Sequence, residues 1–67
     1  MKITLNGNEA TFDERTTVMD VINSKNINPE NVAVELNLHI LSKEEYATAV
    51  LRVGDTLEIL SFMGGGR

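Results

Sequence analysis

The chain has 67 residues, a net charge of −4 and no cysteine. One domain of this length buries only about 60% of the surface its unfolded chain exposes, so a deep, water-excluding active site would compete with the core for the same apolar side chains. The missing cysteine excludes disulfides, thiolate metal sites, iron–sulfur clusters and cysteine nucleophiles and points to the cytoplasm, the acidic balance argues against nucleic acid, and no apolar run approaches the ~20 residues of a membrane span.

Lys2-Ile3-Thr4-Leu5-Asn6 alternates polar and apolar, the period of a half-buried strand. Asn6-Gly7 follows, a pair suited to the positive φ angles that a two-residue type I′ hairpin turn requires. The returning strand falls at Ala10-Thr11-Phe12-Asp13, with Phe12 inward. Thr17 is the expected N-cap of a short helix, with Asp20 near the positive helix end and Val18, Val21 and Ile22 on one face. Asn26 and Pro29 place its end near Lys25-Asn26. A helix of about two turns is marginal alone and must be held by packing on a sheet.

Val32-Ala33-Val34-Glu35-Leu36-Asn37 is the clearest strand, with Val32, Val34 and Leu36 sharing a face. Ile40-Leu41 adds a short one. Ser42-Lys43-Glu44-Glu45 has the form of a capping box, which predicts a helical turn through Tyr46 and Ala47. Tyr46 is expected half-buried, with its hydroxyl in water. Val53-Gly54-Asp55 reads as a turn, and Thr56–Ser61 as the last strand, with Leu57 and Ile59 inward. Strands segregated from one main helix predict an α+β layer pair, a mixed sheet of four to five strands packed on that helix plus a short helical turn. If the last strand lies beside the first, this is the β-grasp, or ubiquitin-like, arrangement. Residues 1–63 form the domain, and 64–67 a flexible glycine-rich tail.

Gly64-Gly65-Gly66 has two readings: a frayed end, or a thin segment built to thread a narrow channel. From Phe62 to Gly66 an extended chain spans roughly 17 Å, enough to carry a carboxylate into another protein's active site. A carboxylate is inert at neutral pH and must be activated, most simply as a mixed anhydride with AMP. That chemistry needs ATP, magnesium and an oriented site. No Lys-Ser/Thr follows the glycines and no helix remains for them to cap, so they are not a phosphate loop. This chain is therefore expected to bind no cofactor itself and to act as a co-substrate, not a catalyst.

These features together resemble one family. The opening Lys2-Ile3-Thr4-Leu5-Asn6-Gly7, the Thr17 helix start, Val32–Asn37, Ser42-Lys43-Glu44-Glu45-Tyr46, Val53-Gly54-Asp55 and the strand running into the glycine tail resemble the ThiS-type sulfur carriers of bacterial thiamine biosynthesis over essentially the whole chain. The resemblance implies that a ubiquitin-activating-type adenylyltransferase, using ATP and magnesium, adenylates the terminal glycine. Sulfur from a cysteine persulfide, supplied by a cysteine desulfurase, then displaces AMP. The resulting thiocarboxylate serves thiazole synthase. Gly66 would carry the sulfur, Gly65 would complete the diglycine and Gly64 would add reach. Arg67 departs from the pattern, because family members end on the diglycine. Proteolytic trimming, an appended residue, or a shift to another sulfur pathway or to protein tagging would each account for it, and trimming is the expectation adopted. Two further readings stay open: the small subunit of molybdopterin synthase, and a non-covalent β-grasp interaction module with an inert tail.

Period 2 along the last strand sends Leu60 and Phe62 to the face opposite Leu57 and Ile59. With Met63 they are the expected docking patch beside the tail, since interfaces favour Phe and Met. His39, the sole histidine, lacks the partners for a metal site. Glu35 and Glu58 are candidates to face a basic partner.

Overall fold

The computed structural model describes residues 1–62. Its five strands are β1 (Lys2–Leu5), β2 (Asn8–Thr11), β3 (Val32–Leu36), β4 (His39–Ile40) and β5 (Thr56–Ser61). They form one mixed sheet in the order β2-β1-β5-β3-β4. The β1–β5 pair is parallel and the other pairs are antiparallel. One helix, α1 (Val18–Ser24), and two 3-10 turns, Pro29–Asn31 and Lys43–Glu45, complete it. The last strand does lie beside the first, which makes this the expected β-grasp layout. No helix among the described residues is long and apolar enough to cross a membrane.

The core follows from the two periodicities. Val18, Val21 and Ile22 of α1 are fully buried against Ile3, Leu5, Val32, Val34, Leu57 and Ile59, which point to one face of the sheet. Removing these side chains from water is the main force that fixes a helix of seven residues on the sheet. Its N-terminus is closed by Thr17 and Asp20: the Thr17 hydroxyl accepts from the Asp20 amide at 3.1 Å, and the Asp20 carboxylate accepts from the Thr17 amide at 3.0 Å. The next two free amides, Val18 and Met19, donate to the carbonyls of Ala49 and Tyr46 at 3.0 and 2.9 Å, so the loop after the second 3-10 turn also satisfies the helix start. At the other end Asn26 takes φ 57°, the left-handed conformation that stops the helix.

Three local readings change. β2 begins at Asn8, two residues before the expected strand, because the turn consists of Asn6 and Gly7 alone, at φ 50° and 84°. Phe12 falls just past it and is half-buried against the core. β4 is His39–Ile40 and not Ile40-Leu41, because Asn37 and Leu38 form a two-residue turn at φ 51° and 72°. Tyr46 is 4% exposed rather than half-buried. Its hydroxyl faces the Val32 carbonyl at 3.5 Å, the outer limit of a hydrogen bond, and not water. The second 3-10 turn explains its position. The Glu45 carboxylate accepts from the Ser42 amide at 2.7 Å and from its hydroxyl at 3.1 Å, which turns the chain inward at Tyr46. The amide bond first, then the hydroxyl, hold the Glu45 carboxyl below its ordinary pKa. On the same turn, the hydrogen bond to Glu30 raises the Lys43 ammonium above its own.

Leu38 occupies left-handed backbone that costs a non-glycine residue about 1–2 kcal/mol, while its side chain is 87% exposed. Leu38→Gly should therefore raise the stability measured by urea unfolding by about 1 kcal/mol. A loss of stability would mean that the Leu38 side chain contributes more than its backbone costs.

Candidate functional site

Helix α1 covers one face of the sheet, and the other face is open. Alternation along β5 exposes Glu58 and Leu60 while burying Leu57 and Ile59, as the sequence indicates. Leu60 is 63% exposed and Phe62 52%. The cross-strand register extends the face beyond β5. Leu60 lies opposite Ala33, Glu58 opposite Glu35, and Glu35 opposite Ile40, so residues of β5, β3 and β4 stand in rows across the sheet. An open groove runs along this face, lined by Asn6, Ala33, Glu35, Ile40, Glu58 and Leu60.

Ile40, 82% exposed, was missed in the sequence reading. The signal lay in the length of the Asn37-Leu38 turn: a two-residue loop pairs Leu36 with His39 and Glu35 with Ile40, which puts Ile40 on the side of Glu35 and away from the core. His39 is exposed on β4, and among the described residues no three His, Asp or Glu side chains gather to hold a metal.

The face carries uncompensated charge. Glu35 and Glu58 lie directly opposite one another in adjacent strands, an arrangement that repels. The ion pairs among the described residues join the Met1 amino group with Glu14, Lys2 with Glu9, and Lys43 with Glu30, and none involves Glu35 or Glu58. The face thus presents apolar Ile40, Leu60 and Phe62 around two like charges, a composition suited to contact with a partner that brings a cation.

The end of β5 is held firmly where the described chain stops. The Phe62 amide donates to the Asn31 carbonyl at 2.7 Å, and Val32 pairs with Ser61. Of the expected site residues, the structure places Leu60 and Phe62 together at this end of the open face. Met63, Gly64, Gly65, Gly66 and Arg67 lie outside the described residues.

A mixed five-stranded sheet on one helix, with an exposed face leading into a glycine-rich segment, defines a ubiquitin-like protein. Solved structures agree. The crystal structure of the thiamine biosynthesis protein ThiS from Geobacter metallireducens matches 98% of this chain and 100% of its own, at 36% identity and a TM-score of 0.81. The solution structure of a thiamine biosynthesis protein from the same organism matches at a TM-score of 0.80 and 36% identity, covering all of this chain and 90% of its own. The ThiS family model matches residues 3–66. The sulfur carrier protein ThiS of Bacillus subtilis is 36% identical over 63 residues, 92% of this chain and 96% of that protein. The chain belongs to the ThiS family. A thiazole synthase of Paramagnetospirillum magneticum is 41% identical over 66 residues, 98% of this chain. The chain spans only 20% of that protein, and 21% of a second thiazole synthase, from Magnetococcus marinus.

Phe62→Ala and Ile40→Ala remove exposed apolar groups, and each is expected to change unfolding stability by about 1 kcal/mol or less. Leu57→Ala, at a fully buried position, should cost about 2–5 kcal/mol. Urea unfolding of the three variants checks the contrast. Comparable losses in all three would make the open face part of the core.

Proposed function

We propose that this protein carries sulfur as a thiocarboxylate on Gly66, formed after the Gly66–Arg67 bond is cut, and donates it to thiazole synthesis. The observation that carries the reading is the extent of the family match, which runs to Gly66 and stops before Arg67. The glycines supply a segment thin enough to enter a partner's active site, and the open face supplies a place for that partner to hold the domain.

The steps are those of carboxylate activation. A partner adenylyltransferase of the ubiquitin-activating type, with ATP and magnesium, joins the Gly66 carboxylate to AMP and releases pyrophosphate. A cysteine persulfide, regenerated by a cysteine desulfurase, displaces AMP through its outer sulfur. A thiol then reduces the new disulfide and frees the thiocarboxylate. This chain supplies the acyl group and its placement, and the partners supply the catalysis. The two thiazole synthases that contain a matching segment support thiazole synthase as the acceptor. The family placement favours this branch over the small subunit of molybdopterin synthase. Leu60, Phe62 and Met63, joined by Ile40, make the docking contact, and Glu35 and Glu58 receive a basic group of the partner.

Three forms of the protein test the reading with the adenylyltransferase from the same cell: the full chain, a chain ending at Gly66, and one ending at Gly64. The form ending at Gly66 should support ATP-dependent pyrophosphate release. The form ending at Gly64 should bind the enzyme and remain unreacted. Phe62→Ala in the Gly66 form should weaken binding about tenfold. Equal reaction of the full chain and the Gly66 form would overturn the assignment of Gly66, and reaction of none would favour an interaction module.

A further inference from the structure

Asn6 is the one asparagine of the chain that is followed by glycine. Its side chain does more than form a turn. β1 ends at Leu5, and its last partner on β5 is Leu57. The Asn6 amide still donates to the Leu57 carbonyl at 2.9 Å, after which the backbone turns away into β2. Ile59 would then have no neighbour on that side. The Asn6 carboxamide fills the place of the missing strand: its Nδ2 donates to the Ile59 carbonyl at 3.2 Å, and its Oδ1 accepts from the Ile59 amide at 2.8 Å. A carboxamide carries one acceptor and one donor in the arrangement of a peptide group, so it continues the ladder by one residue.

The same residue sits where it is chemically vulnerable. Gly7 has no side chain, so none at that residue hinders attack by its nitrogen. Attack of that nitrogen on Asn6 Cγ forms a five-membered imide. The Cγ–Nδ2 bond breaks, and ammonia leaves with the proton from the Gly7 nitrogen. Water then opens the ring at one of its two carbonyls, giving aspartate or isoaspartate, with no change in oxidation state. In the folded protein the carboxamide is engaged by two bonds to Ile59, so the reaction proceeds from the fraction in which this clasp is open.

We propose that the Asn6–Gly7 step is a deamidation site, and that conversion of Asn6 breaks the carboxamide clasp on Ile59, losing the bond to its carbonyl in the aspartate form and both bonds in the isoaspartate form, and so weakens the hold on β5 from its β1 side. The product has no hydrogen to donate to the Ile59 carbonyl and sets a negative oxygen against it. The isoaspartate form also routes the backbone through the side chain and breaks the register of the turn. The core contacts of α1 with Leu57 and the pairing of β5 with β3 are untouched, so the domain stays folded while β5 loses part of its hold on the β1 side. The proposal rests on Asn6, Gly7 and Ile59 and stands or falls independently of the sulfur chemistry.

The experiment incubates the full chain at mildly alkaline pH, follows deamidation by peptide mapping with isoaspartate detection, and measures amide hydrogen exchange of the product. Asn6 should convert before any other asparagine. The Ile59 amide should exchange about tenfold faster in the isoaspartate product, whose rerouted backbone carries its acceptor away, and should keep its protection in Asn6→Asp, whose carboxylate still accepts from it. The Val21 amide, bonded to the Thr17 carbonyl within α1, should be unchanged. Asn6→Gly, which accepts the positive φ and removes the clasp without adding charge, should show the same faster exchange at Ile59. Earlier conversion at another asparagine, or native protection of Ile59 in the isoaspartate product and in Asn6→Gly, would overturn the proposal.

Discussion

Everything in this molecule hangs on the burial of Leu57 and Ile59 in the middle of the sheet. They are 0% and 7% exposed, on a strand with a parallel neighbour on one side and an antiparallel neighbour on the other. Because successive side chains of a strand point to opposite faces, fixing these two inward fixes Glu58 and Leu60 outward. The core and the open face are therefore two readings of one six-residue strand. The strand ends at Ser61, and Phe62 just beyond it is still tied to the Asn31 carbonyl.

Two asparagines repeat one device on either flank of β5. Asn6 and Asn37 each sit at the end of a neighbouring strand with positive φ, and each turns its carboxamide onto β5. Asn37 accepts from the Thr56 amide at 2.8 Å and donates to the Asp55 carboxylate at 2.9 Å, which fixes the start of the strand. Asn6 fixes the region of Ile59. The left-handed conformation serves two ends at once: it makes the tight hairpin, and it points a short polar side chain along the sheet edge where the backbone has left.

Much of this was legible in the residues because the dominant signals are local. The Thr17–Asp20 cap, the positive φ of Asn6-Gly7 and the alternation of Thr56–Ser61 each follow from a few neighbouring side chains, and each stands in the structure as read. What escaped was set by long-range pairing. The exposed place of Ile40 depends on the register of β4 against β3, which a Leu at a turn position disguises, since leucine does not advertise positive φ. Tyr46 was misplaced because its burial comes from a 3-10 turn folding it under Val32, a contact between residues 14 apart in sequence. The opposition of Glu35 and Glu58 is likewise a fact of register.

For a domain of this size the core occupies one face of the sheet and the other stays open, and the proposed function assigns recognition to that open face and the chemistry to Gly66, on which partners act. The measurement that tests this most directly is the intact mass of the protein recovered from its own cell during thiamine synthesis. The account predicts a species that ends at Gly66, with one oxygen of its terminal carboxyl replaced by sulfur. A protein in which Gly66 is always joined to Arg67, with no sulfur gained, would contradict it.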